Sequence, residues 1–326
     1  MTRPHNDHRP DASSAGQPAV LLRDVRRTYG DREAVRGVSL EIREGEIFAL
    51  LGPNGAGKTT TLSLVSTRIR PTSGDVWVFG HHVVRETDAV RRLLNVAPQA
   101  EAVYPSLTGE ENLRFFAELY HVPRRERAGR VAEALEAVAL TTRKDDRVDT
   151  YSGGMRRRLN LGCALVSAPR LLLFDEPTVG VDPQSRAHIF DAVRSLRGRG
   201  VTILYTTHYL EEAQALCDRI AIMDEGRLVA LGTVSELLGL SKATEVIDIR
   251  LTQPPTTVAA VEGLDHVQSV EVAGSEIRIF TSRAQGVLAQ LCGSVPLLDH
   301  PIIQTRVSPV TLNDVFIELT GKDLRD

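Results

Sequence analysis

The sequence predicts an α/β fold with a parallel sheet and a helical subdomain, followed by a small α+β domain of ferredoxin-like order. Three observations predict it. The apolar runs Leu171–Phe174 and Thr202–Tyr205 flank a helix-like stretch, Ser185–Leu196, and such β-α-β chaining implies parallel strands. The apolar run Ile47–Leu51 enters the turn Gly52-Pro53-Asn54-Gly55 and then a helix-like stretch, Thr59–Thr67. Beyond the polar stretch Ser241–Thr244 the pattern becomes strand, helix, two hairpin-like strands, helix, strand and a closing helix.

The elements follow in chain order. Residues 1–18 are rich in Pro, Ser, Asp and His and read as a disordered leader. His5 and His8 stand there without companion ligands, so no metal is expected on them. Val20–Val25 and Val38–Ile42 are short β-type runs, and Trp77 reads as strand packing within Asp75–Phe79. Helical patterns dominate from about 109 to 165, within a helical subdomain expected over about 100–165: Glu110–Tyr120 carries Leu113, Phe116, Leu119 and Tyr120 at helical spacing, and Ala128–Val138 repeats the pattern. In the last part, strands are expected at Glu245–Leu251, Val267–Val272, Glu276–Phe280 and Ile302–Val307. Helices are expected at Thr256–Glu262, Ala284–Leu291 and Thr311–Leu319. The expected division is a leader over 1–18, a first domain over 19–240 and an accessory domain over 241–326.

Composition narrows the function. The 326 residues are 42% apolar with a net charge of −3, enough for buried cores and without a basic nucleic-acid footprint. The arginines Arg156–Arg158 lack an aromatic stacking platform and read as a solvated helix face, so no nucleic-acid partner is expected. No apolar run approaches the roughly 20 residues of a membrane span, and the N-terminus has no secretory h-region. Cys163, Cys217 and Cys292 form no CxxC pair and read as small buried apolar residues of a reducing compartment. Lysine occurs only at Lys58, Lys144, Lys242 and Lys322.

One of those lysines sits in a motif. Gly52-Pro53-Asn54-Gly55-Ala56-Gly57-Lys58-Thr59 matches G-x-x-x-x-G-K-[ST] between a strand and a helix, the context of a P-loop NTPase. Glycines let backbone N–H groups close around phosphate oxygens, and the helix N-terminus adds positive potential. Lys58 is expected to reach the β- and γ-phosphates and Thr59 to ligate Mg²⁺, with Gly52, Asn54, Gly55, Gly57 and Thr60 completing the nucleotide loop. Leu171–Phe174 ends in Asp175-Glu176; Asp175 suits the Mg²⁺ shell and Glu176 is the candidate general base for an attacking water.

Tyr151-Ser152-Gly153-Gly154-Met155 follows the phosphate loop and precedes the acidic strand end. In that order the three motifs resemble the ABC transporter ATP-binding subunit, over about residues 20–235. The usual LSGGQ signature here reads YSGGM, which looks like the drug-exporter branch typified by the daunorubicin-resistance ATPases. A Ser hydroxyl and Gly N–H groups at a helix start form a second anion cradle. The resemblance implies that Ser152, Gly153 and Gly154 close over the γ-phosphate held by the other subunit. It further implies that Tyr29 stacks on adenine, that Gln99 joins the metal site to the helical subdomain, that Asp182 couples the two sites across the dimer, and that His208 contacts the γ-phosphate.

The implied protein is an ATPase using ATP and Mg²⁺, with Glu176, His208 and Lys58 as catalytic residues and Thr59, Gln99 and Asp175 as metal residues. Two copies would sandwich two ATP molecules head to tail. A separate membrane permease would dock near Gln99 and the 100–150 helices, placing the chain on the cytoplasmic face of the cell membrane. The ending Asn313–Gly321 resembles the tail of the same branch. Export of a drug or antibiotic is the implied function. A lipid or other cargo, or a soluble non-transport ATPase, are the alternatives.

Overall fold

The computed structural model describes residues 17–292 and 298–321. The expected leader lies outside these residues except for Gln17 and Pro18. The chain divides into two compact units, the first ending at Leu231 and the second starting at Gly232.

The first unit is built on a six-stranded sheet. Its strand order is Arg227–Gly232, Arg219–Asp224, Ile47–Leu51, Thr202–Thr207, Leu171–Asp175, Leu94–Ala97. Ile47–Leu51 pairs in parallel with Thr202–Thr207 and Arg219–Asp224, and Leu171–Asp175 pairs in parallel with both of its neighbours. Phe48, Leu50, Leu171, Leu173 and Leu204 join one apolar cluster, whereas Ile47, Leu172, Phe174, Ile203 and Tyr205 join another. Both sheet faces are therefore covered, which is why these strands read as unbroken apolar runs without alternation. The register also sets the chemistry. Leu51 pairs with Thr207, Asp175 with Thr206 and Ala97 with Phe174, so the segments that follow all leave the sheet at its carboxyl edge.

A second, antiparallel sheet packs against the first cluster in the order Arg32–Ile42, Val20–Tyr29, Ser73–Val78, His81–His82, burying Val20, Leu22, Val38, Ile42, Val76 and Val78. The other cluster holds the helices Gly109–Leu119, Arg127–Ala137 and Gly153–Leu165 through Leu113, Phe116, Val131, Leu135 and Leu159. The Thr108–Glu111 capping box starts the first of these helices. Tyr151 is buried, and its hydroxyl donates to the Arg143 carbonyl at 2.6 Å, so the phenol gains an anchor that a leucine would lack.

Two readings are corrected here. The arginines 156–158 are not a solvated face: Arg157 is 7% exposed, and Arg158 donates to the carbonyls of Val138 and Ala139. The cysteines are not all buried, since Cys217 is half-buried and Cys292 exposed. The helices Thr87–Leu93 and Leu210–Leu216 and the strands Leu94–Ala97, Arg219–Asp224 and Arg227–Gly232 had no separate expectation.

The second unit has one four-stranded sheet, ordered Val267–Ala273, Glu276–Thr281, Glu245–Leu251, Ile302–Pro309, with antiparallel pairing throughout. In the unit's own count this is 2-3-1-4, the ferredoxin-like arrangement. Helices Ala259–Glu262 and Ala284–Leu291 place Val261 and Val287 on Ile247, Ile249, Ile277 and Ile279. The first of these helices starts three residues later than the expected Thr256, because the chain turns first, with Thr257 Oγ1 accepting from Ala259 N. This unit begins before residue 241 because the helix Val234–Leu238, capped by Thr233 and Glu236, packs on the terminal helix Leu312–Thr320.

Candidate active site

The phosphate loop can only be made with glycine. A Cβ on Gly52 would lie 2.2 Å from the Met223 carbonyl oxygen, and one on Gly57 would lie 2.6 Å from that of Ala34. Gly55 and Gly57 also take φ of +84° and +102°, conformations that side-chain-bearing residues resist. The helix Lys58–Val65 starts at once after Gly57 and ends before Thr67, whose φ is +62°.

Beside this loop lies a cavity of about 420 Å³, lined by Tyr29, Asn54, Gly55, Gly57, Lys58, Thr59, Thr60, Gln99 and Glu176, together with Arg32 and Ala34. Lys58 is 4% exposed and donates to the carbonyls of Gly52 and Pro53 at 2.7 and 3.0 Å. Its ammonium is 3.2 Å from Glu176 Oε1. Burial holds the Lys58 pKa below the ordinary lysine range, and Glu176 partly restores it. Glu176 Oε2 is in turn 3.3 Å from His208 Nδ1, a buried nitrogen that has no well-aligned hydrogen bond.

Asp175 Oδ1 accepts from the hydroxyls of Thr59 and Thr206, each at 3.0 Å. This carboxylate, the Thr59 hydroxyl and the nearby Gln99 make a set of oxygen donors of the kind magnesium takes. Glu176 itself has φ of +47°, so backbone strain falls on the candidate base. The strain is held in place by Thr206, which accepts from Glu176 N through both its hydroxyl and its carbonyl.

Ser152, Gly153, Gly154 and Asp182 do not line this cavity. Ser152 caps the helix Gly153–Leu165 by accepting from Met155 N at 3.2 Å, and Asp182 caps Pro183–Gly198 by accepting from Ser185 N at 2.9 Å. That backbone hydrogen bond lowers the Asp182 pKa. The two caps lie together, because a Cβ on Gly154 would meet Ser185 Oγ at 1.8 Å and Asp182 Oδ2 at 2.8 Å. The site residues thus form two groups on one chain: a phosphate loop with its acids, and a helix-start cradle elsewhere.

Sequence reasoning missed Arg32, Ala34, Thr206 and Arg157. The first three carry no motif signal, being ordinary strand residues. Arg157 does have a signal, three arginines directly after the signature. Its guanidinium donates to the carbonyls of Pro98, Gln99, Glu176 and Pro177, at 2.8, 2.5, 3.0 and 2.7 Å. One buried cation thereby joins the signature helix to the segments bearing Gln99 and Glu176.

Residues 35–179 match the family described as ABC transporter. The chain is 40% identical over 306 residues to the linearmycin resistance ATP-binding protein LnrL of Bacillus subtilis strain 168, covering 93% of this chain and 98% of that one. It is 40% identical to the daunorubicin resistance ATP-binding protein DrrA3 of Streptomyces coeruleorubidus (94% and 97% covered). With the Nod factor export ATP-binding protein I of Paraburkholderia xenovorans it shares 37% (95% and 99% covered). A solved dimeric post-hydrolysis state of the ATP-binding cassette MJ0796, bound to ADP and Pi, superposes with a TM-score of 0.60 at 27% identity, over 66% of this chain and 98% of that one.

Proposed function

The chain belongs to the ABC transporter family as an ATP-binding, ATP-hydrolysing subunit, and on that premise we propose that it powers export of a drug or antibiotic through a separate membrane permease. The observation that carries the catalytic part is the convergence of the phosphate loop, Gln99 and Glu176 on one cavity, with Lys58, Glu176 and His208 in a chain of close polar contacts. The resistance proteins named above support the cargo class. The similarity to a Nod factor export protein supports a second reading, in which the exported cargo is a molecule other than a drug or antibiotic.

In the proposed cycle Tyr29 stacks on the adenine and the loop N–H groups hold the phosphates. The phosphate anion competes with Glu176 for the Lys58 ammonium. Glu176, released from that contact, orients the attacking water and accepts its proton. His208 steadies the γ-phosphate and Glu176 together. A magnesium ion held by Thr59, Asp175 and Gln99 would neutralise charge on the β- and γ-oxygens.

The separation of Ser152–Gly154 and Asp182 from the cavity supports closure by a second copy, in two-fold head-to-tail symmetry. Each chain then lends its cradle to the other's γ-phosphate, and hydrolysis reopens the pair. For the permease, the exposed pair Tyr104 and Phe115 supports docking on the helices of the 100–150 region. They stack edge to face at 4.9 Å yet remain 45% and 40% exposed, a costly arrangement for a surface that meets only water. Among the described residues no helix is long and apolar enough to cross a membrane. Attachment to the membrane's cytoplasmic face would therefore run through the permease. The test of the phosphate site is Lys58→Ala, expected to abolish ATP turnover. Unaltered turnover would refute it.

A further inference from the structure

Glu212 belongs to none of the sequence motifs, yet it is only 1% exposed and charged side chains are rarely buried so completely. It lies in the first turn of the helix Leu210–Leu216, directly after His208. Three hydroxyls donate to its carboxylate: Thr178 Oγ1 at 2.5 Å, Tyr205 Oη at 3.0 Å and Thr207 Oγ1 at 3.1 Å. Arg186 Nε stands 3.7 Å away.

These partners sit on three different functional segments. Thr178 follows Glu176 by two residues. Thr207 precedes His208, and its hydroxyl also accepts from Tyr209 N at 2.9 Å, so a single Thr oxygen sets the turn that carries the histidine. Arg186 is in the first turn of the helix that Asp182 caps. A buried carboxyl group satisfied by three hydroxyl donors resists displacement, because moving the Glu176 segment or the His208 turn leaves a buried acceptor short of a partner.

We propose that Glu212 is a positioning residue that holds the Glu176 segment and the His208 turn in one fixed relation. The inference rests on the ATPase reading above and adds to it a single anchor for two motifs. It acts only through others, since its carboxylate is enclosed by the three hydroxyls and does not line the phosphate cavity.

The test compares ATPase kinetics, ATP affinity and melting temperature for the full chain, Glu212→Gln, Glu212→Ala and Thr178→Val. Glu212→Ala is expected to lower kcat at least tenfold while ATP affinity changes less than threefold, and Glu212→Gln, which keeps an acceptor oxygen and the volume, to recover part of that loss. Thr178→Val removes one donor at constant shape and covers the case in which Glu212→Ala does not fold; it is expected to lower kcat severalfold at unchanged ATP affinity. Wild-type kcat in Glu212→Gln and Thr178→Val, or a loss of kcat that merely follows a loss of ATP affinity and melting temperature, would overturn the proposal. A wild-type chain that hydrolyses no ATP would instead overturn the ATPase reading itself, so the two failures are distinguishable.

Discussion

At Lys58 burial and charge act against each other. Desolvation disfavours its ammonium, and Glu176 restores it only in part. A polyphosphate brings more negative charge than one carboxylate, so binding should raise the Lys58 pKa and take up protons. ATP affinity is accordingly expected to fall as pH rises toward the usual lysine pKa of about 10.4. Binding titrations across that rise check it, and a flat profile would count against the lysine as the phosphate's counter-ion. At Arg157 the expectation concerns stability. Arg157→Met removes the donor shared by four carbonyls and should cost about 2–4 kcal/mol, read from the urea midpoint. At this scale the phosphate loop and the acids were legible because phosphate binding demands unusual residues at set spacings. Arg157 was misread because a charged run next to a helix start gives no sign of which member turns inward.

The helix Gly153–Leu165 starts on Ser152 and lies so close to the helix Pro183–Gly198 that Gly154 admits no side chain. Gly154→Ala should therefore push the helices apart and lower stability by about 1–3 kcal/mol, whereas Ser152→Ala loses only an N-cap, about 1 kcal/mol. If the cradle serves a second copy, Ser152→Ala should weaken ATP-dependent dimerisation by far more than so small a stability change explains. Analytical ultracentrifugation beside a denaturant melt separates the two effects. The parallel strands were readable from their apolar runs because both faces are covered. Leu94–Ala97 and the helix Thr87–Leu93 are too short for a periodicity to emerge, and their pairing with Leu171–Asp175 is a long-range fact. The unit boundary at Gly232 was likewise hidden, because the helix Val234–Leu238 belongs with a terminal helix some eighty residues away in the sequence.

For the whole molecule the arrangement is that of a half-site. Parallel register delivers Gly52, Gln99, Glu176 and His208 to one sheet edge, while the cradle at Ser152 and the cap at Asp182 stand apart from the cavity. On the proposed reading, a chain with the two halves in different places would complete its chemistry by pairing. The most direct measurement is the mass and nucleotide content of Glu176→Gln in the presence of ATP, by light scattering coupled to size-exclusion chromatography. A dimer that retains two unhydrolysed ATP molecules and returns to monomer with ADP is expected. A variant that binds ATP as a monomer, or turns it over at the wild-type rate, would contradict that expectation.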